Sequence, residues 1–239
     1  MKRQSPLLFV LLLVASCAVF ISCKKNSNSK NTITSIDTSI QCHITTVESV
    51  DIINTKYKNY IVYDGAYRIS AIIDSSRHQR SDFIYSGNKI FRTLTVDTGV
   101  FEIDTITLNS ASLVDSVVMH YLGYTGYFSM NYDANNQLIN EDMGFSSIGY
   151  IWKDGNPIGT TGSSTDSIKY DFSKKAMDGD YFWLDNLKWG ARSIKNSNLV
   201  TQFINSSIKY DFDSSGKITS MVILDYSGAT SYSYTYTCK

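Results

Sequence analysis

The chain has 239 residues, with 22 Lys or Arg against 22 Asp or Glu, so its formal net charge is zero. With no net field and no basic stripe, nothing in the sequence draws it to nucleic acid, which excludes that class of partner. The 17 Tyr and only 2 Pro, set among frequent Thr, Ile and Val, suit half-buried pleated strands better than helices.

Met1-Lys2-Arg3 supplies a positive start, and residues 7–21 are almost wholly apolar before Ser22-Cys23-Lys24-Lys25. A small residue ahead of Cys23 and the polar run KKNSNSKNT after it read as a signal cleaved at a cysteine. This looks like a bacterial lipoprotein signal, with Cys23 the lipidated first residue. A second box, Val14-Ala15-Ser16-Cys17, competes with it. Cleavage there leaves the apolar stub Ala18-Val19-Phe20-Ile21, so Cys23 is preferred. Plain secretion and a membrane-anchor helix rank behind both. The expected organisation is a signal at 1–22, a polar tether at 23–40 and one β-rich domain at 41–239. The membrane is then a partner through acyl chains rather than through a spanning segment.

Along the domain one grammar recurs. YIVYDGAYRISAIID at 60–74, FIYSGNKIFRTLTVD at 83–97, MNYDANNQLINE at 130–141, YIWKDGNPIGT at 150–160 and IKYDFDSSGKITSMVILDY at 208–226 share it. An aromatic closes an extended run, an Asp/Gly/Asn/Ser cluster follows, and a basic or amide residue with Ile or Leu reopens the next run. Such clusters supply positive φ and side chains that bond their own backbone, so each copy predicts a β-hairpin. The six residues SIKYDF occur twice, at 167–172 and 207–212, as one strand unit reused. After the first copy the restart is missing, so either its turn is longer or the next strand begins near Tyr181. Alternation fades over 184–203, and residues 198–204 can form a short helix. At the end Tyr232, Tyr234, Tyr236 and Cys238 alternate with Ser231, Ser233, Thr235 and Thr237, which is strand periodicity. The predicted fold is all-β: an antiparallel meander of roughly a dozen strands, strongly curved or barrel-like so that few edges stay open.

Beyond the signal, Cys42 and Cys238 bracket the domain. In an oxidising compartment they can bridge, or they can be two buried thiols; the sequence permits both. The densest chemistry lies at 176–189, where Asp178, Asp180 and Asp185 accompany Tyr181, Phe182, Trp183 and Trp189. Rings beside carboxylates suit sugar binding through Asp178, Asp180, Trp183 and Trp189. Paired carboxylates also suit glycoside hydrolysis if held about 5–10 Å apart. The plainer reading is a solvated turn leading into core aromatics. Asp211-Phe212-Asp213-Ser214-Ser215-Gly216 opens like a calcium loop, but its twelfth position is Val222 where a bidentate Glu is required. His43, His78 and His120 have no metal-ligand spacing, and no catalytic motif occurs in a fitting context, so neither metal nor cofactor is expected.

The Tyr-Asp-turn-basic-Ile grammar resembles the YD repeats of large bacterial secreted shell proteins, in degenerate form. The whole chain is similar to the uncharacterised lipoproteins of Bacteroides-type bacteria that carry domains of unknown function. That resemblance brings no catalytic residues. With Lys24-Lys25 after Cys23 and no acid before Asp37, it implies an outer-membrane lipoprotein facing the periplasm. The functions carried forward are a non-catalytic envelope module binding a protein partner or glycan, a carbohydrate-active enzyme using Asp178, Asp180 and Asp185, and a purely structural lipoprotein.

Overall fold

The computed structural model describes residues 41–161 and 167–238. The signal at 1–22, Cys17, Cys23 and the tether at 23–40 lie outside the described residues. The domain is a 16-stranded antiparallel sheet running β11-β10-β9-β8-β7-β6-β5-β4-β3-β2-β1-β16-β15-β14-β13-β12. The strands are β1 (Cys42–Val50), β2 (Lys56–Tyr63), β3 (Ile69–Asp74), β4 (Gln79–Ser86), β5 (Lys89–Val96), β6 (Gly99–Leu108), β7 (Val114–Tyr121) and β8 (Tyr124–Tyr132). They continue as β9 (Leu138–Asp142), β10 (Ser147–Lys153), β11 (Asn156–Thr160), β12 (Ile168–Lys175), β13 (Asn198–Phe203), β14 (Ser206–Phe212), β15 (Ile218–Asp225) and β16 (Gly228–Cys238).

The sheet is nearly closed into a barrel, and side chains join its two ends. Asn156 of β11 accepts from the backbone N–H of Ser197 at 3.0 Å and of Asn198 at 2.9 Å. The Tyr170 hydroxyl of β12 donates to the Pro157 carbonyl at 2.6 Å. First and last strands are neighbours: Cys42 pairs with Cys238 in register, and the two form a disulfide.

The repeated grammar has a double physical basis. Asp51, Asp64, Asn109, Asp133 and Asp213 each open a turn. Each side-chain Oδ1 accepts from the N–H groups two and four residues on, such as Ala66 at 2.8 Å and Arg68 at 3.0 Å for Asp64. Three residues on, the backbone turns left-handed, at Asn54, Tyr67, Ser112, Asn136 and Gly216. This is the local side-chain capping that Asp and Asn provide. The ladder bulges immediately before Tyr63, Leu108, Tyr132 and Phe212, the residues ahead of most of these turns.

The aromatics do the second job. Tyr63, Tyr85, Tyr132, Trp152 and Tyr236 point inward and donate to the carbonyls of Ile44, Ile69, Val114, Leu138 and Ile218. Ile69, Val114, Leu138 and Ile218 are the restart residues that open β3, β7, β9 and β15. Four of the five rings are thus bonded to the restart residue that opens the strand before, and Tyr63 bonds Ile44 within β1.

One helical segment interrupts the strands, α1 (Tyr181–Asn186), continued by a 3-10 turn, Leu187–Trp189. It lies in the connection between β12 and β13 and fills the barrel as a plug. Phe182, Trp183 and Trp189 join Ile44, Val47, Phe83, Ile106, Val117, Met221 and Tyr234 in one buried core. Gly190 ends the plug in a left-handed conformation (φ 66°).

Two expectations are corrected here. Residues from Tyr181 form helix rather than strand, because buried Asp180 caps them by accepting from the Trp183 N–H at 2.7 Å. Residues 198–203 form β13 rather than helix; Leu199 and Val200 are both buried, so the alternation of a half-buried strand is lost. The two SIKYDF copies lie on β12 and β14, the strands that flank β13 on either side.

Candidate functional site

The inner wall changes character along the barrel axis. Toward the end where the plug enters, inward positions are Ile, Val, Phe and Tyr. Toward the opposite end, the mouth, they become polar. In one cross-strand row Asn59, Asp74 and Gln79 stand between Val47 and Val96. Asn59 shares a face with Ile61, and Gln79 with Ser81 and Phe83, as strand alternation requires.

Between this wall and the plug lies a cavity of ≈ 270 Å³. Ser49, Asn59, Gln79, Ser81 and Arg92 supply its polar lining, and Leu184, Leu187 and Lys188 of the plug form the facing side. Each cation on its lining is paired with at least one carboxylate. Arg92 donates to Glu102 at 2.7 Å and to Asp104 at 2.5 Å, and its Nε reaches Ser81 at 3.4 Å. Arg77 pairs with Asp74 at 3.8 Å, and Lys188 with Asp185 at 3.4 Å. Asp104 is fully buried and its Oδ1 has no hydrogen-bond partner among the described residues. Burial raises its pKa to about 6, with Glu102 adding to the rise and Arg92 opposing it. Beyond the plug, burial also raises Glu141, while Lys188 draws it back down.

Other hollows are less constructed. One of ≈ 500 Å³ lies on the outer face over Ser220, Ser231, Ser233, Glu48 and Lys58. Among the described residues it contains no buried polar atom without a partner, and Lys58 is committed to Glu48 at 2.6 Å. Another, of ≈ 650 Å³, runs past the turn residues Asn135, Asn136 and Gln137 to Lys175 and Lys195.

The residues singled out from sequence are spread through the plug rather than gathered at the mouth. Asp180 is fully buried, and its carboxylate accepts from the N–H groups of Trp183 and Met177. Burial raises its pKa, and those backbone bonds work against the rise. Asp178 is exposed and pairs with Arg192 at 3.1 Å. Asp185 points to Lys188. Trp183 and Trp189 are 7% and 8% exposed, packed against Tyr234 and Phe128. Asn59, Gln79 and Arg92 were missed because they lie on separate strands. The signal that finds them is a polar residue in phase with buried neighbours such as Ile61 and Ile90.

No family model matches the chain, and no curated protein matches it. Among solved structures, a porin-like protein from Bacteroides uniformis is similar with a TM-score of 0.50 and 12% identity, over 81% of this chain and 96% of that one. At that identity the likeness is one of fold.

Proposed function

We propose that this protein is a non-catalytic cell-envelope lipoprotein whose barrel binds a glycan at its mouth. The observation that carries the reading is the distribution of polarity across the barrel wall. A barrel that crosses a membrane turns an apolar band outward and keeps a polar interior. Here the interior is apolar and filled by the plug, and the outer face carries mid-strand charges, among them the pairs Lys58–Glu48 at 2.6 Å and Arg80–Asp82 at 2.7 Å. Lys209 and Asp211 of β14 extend that surface. These charges stand on the same face as exposed Ile84, Phe91 and Tyr127, and they support attachment by acyl chains on Cys23 in the outer membrane rather than a spanning barrel. At the mouth, polar side chains that make no hydrogen bond among the described residues meet a cavity bounded by the plug, and this supports binding rather than a purely structural role.

The test has two arms, both on the full-length chain. Metabolic labelling with a tritiated fatty acid should mark the wild type and leave Cys23→Ala unlabelled; label retained on Cys23→Ala removes the proposed anchor. The detergent-solubilised protein is then applied to an array of envelope polysaccharides. Capture without release of reducing ends supports the reading. Steady release makes the protein an enzyme, and recovery of a stoichiometric protein partner with a silent array makes it a protein-binding module.

A further inference from the structure

We infer that the mouth cavity takes a neutral, hydroxyl-rich molecule about the size of one sugar ring; this rests on the binding role proposed above and narrows it. Size comes first. At ≈ 270 Å³ the cavity falls just under the range of about 300–1,000 Å³ that holds drug-sized ligands, so one ring and its substituents fill it.

Charge comes second. Each charged group on the lining already has an opposite neighbour: Arg77 has Asp74, Lys188 has Asp185, and Arg92 has both Glu102 and Asp104. An incoming anion finds no cation without a carboxylate beside it, and an incoming cation finds Asp74 already held by Arg77, while Glu102 and Asp104 stand off the lining behind Arg92. Either ligand loses its own hydration without gaining a free counter-charge. A neutral ligand does not meet that cost.

Hydrogen-bonding capacity comes third. The side chains of Ser49, Asn59 and Gln79 are partly buried and make no hydrogen bond among the described residues. Arg92 spends Nη1 on its two carboxylates and Nε on Ser81, which leaves Nη2 without a partner among the described residues. A hydroxyl, two amides and one guanidinium N–H offer both donors and acceptors, which a sugar's hydroxyls satisfy because each of them also does both. Ile72, Leu94, Leu184 and Leu187 supply the apolar strip on which the C–H face of a ring rests.

The experiment is saturation-transfer NMR on the full-length protein with three probes of one ring size and different charge. These are N-acetylglucosamine (neutral), glucuronate (anionic) and glucosamine (cationic). Transfer to N-acetylglucosamine is expected, with glucuronate and glucosamine weaker by roughly ten-fold, the loss of about one good hydrogen bond's free energy. Gln79→Leu and Asn59→Leu, checked for fold by near-ultraviolet circular dichroism, should each abolish the transfer. Equal or stronger transfer to either charged probe overturns the inference without any variant. Transfer that survives both variants overturns it as well. If polysaccharide is captured on the array while all three probes are silent, the binding role stands and the single-ring assignment falls. If the array is silent too, both fall.

Discussion

The hydroxyl of Tyr132 donates to the carbonyl oxygen of Ser193 at 3.1 Å, and through this bond the β-hairpin repeat holds the plug. Tyr85 does the same for the Gly190 carbonyl at 3.1 Å. Each hydroxyl's single proton is therefore shared between two carbonyls, one in the sheet and one in the plug segment. Tyr132→Phe leaves both of its acceptors without that donor, at a cost of about 1–3 kcal/mol. Tyr63→Phe frees only the Ile44 carbonyl and should cost about 1 kcal/mol. Urea denaturation of the pair checks the order; equal losses would remove the plug's share of the Tyr132 bond.

Gly190 sits at φ 66°, and a Cβ added there would lie 2.8 Å from Phe83 and 3.1 Å from the Tyr85 hydroxyl. Gly190→Ala therefore combines left-handed strain with a clash against the core, about 2–4 kcal/mol together. Gly216 has φ 84° with nothing within 4 Å of the added Cβ, so Gly216→Ala should cost about 1–2 kcal/mol. Denaturation midpoints for the two alanine variants test whether the clash, rather than the conformation, sets the difference.

Cys42 and Cys238 are 196 residues apart in sequence. Closing so long a loop restricts the unfolded chain, and the entropic account gives up to about 5 kcal/mol. Cys42→Ser should lower the urea midpoint accordingly, and a reducing agent should do the same to the wild type while leaving Cys42→Ser unmoved. A wild-type midpoint insensitive to reduction would show that the bridge adds nothing.

Asp104 gives a pH dependence of definite sign. Its carboxyl titrates near 6 in the fold against an ordinary 3.8, so the folded state holds the proton more tightly than the unfolded chain does. Stability at this position is then greatest below about pH 4 and declines as pH rises toward about 6, by at most about 3 kcal/mol. Asp104→Asn lacks that proton. The stability difference between wild type and variant should shift in the variant's favour from pH 4 to pH 7, as read by chemical denaturation at both pH values. A constant difference would count against the raised pKa.

Much of the fold was legible because its rules are local. Asp64, Asp133 and Asp213 cap turns that any reader of Asp-Gly/Asn/Ser clusters expects, and the Tyr232–Tyr234–Tyr236 alternation declares a strand. What the tyrosines bond was not legible, since Ile44, Val114 and Ile218 lie one strand away. Tyr181-Phe182-Trp183-Leu184 misled because aromatics favour strands, although Asp180 before them and Gly190 after them mark a helix start and stop. The mouth was the hardest part. Asn59, Gln79 and Arg92 become neighbours only through strand register, so nothing in their separate surroundings announces a site.

The bridge between Cys42 and Cys238 also decides how the domain meets mechanical load. A pull exerted through the chain ahead of Cys42 enters β1, which is laddered to β2 on one side and β16 on the other. The covalent link passes part of that force directly to the far end of the chain. Strand β1 cannot then be peeled out alone; β16 must move with it. Stretching along the chain meets a covalent stop at the first and last strands, and the 16-stranded wall between them is spared that share of the tension.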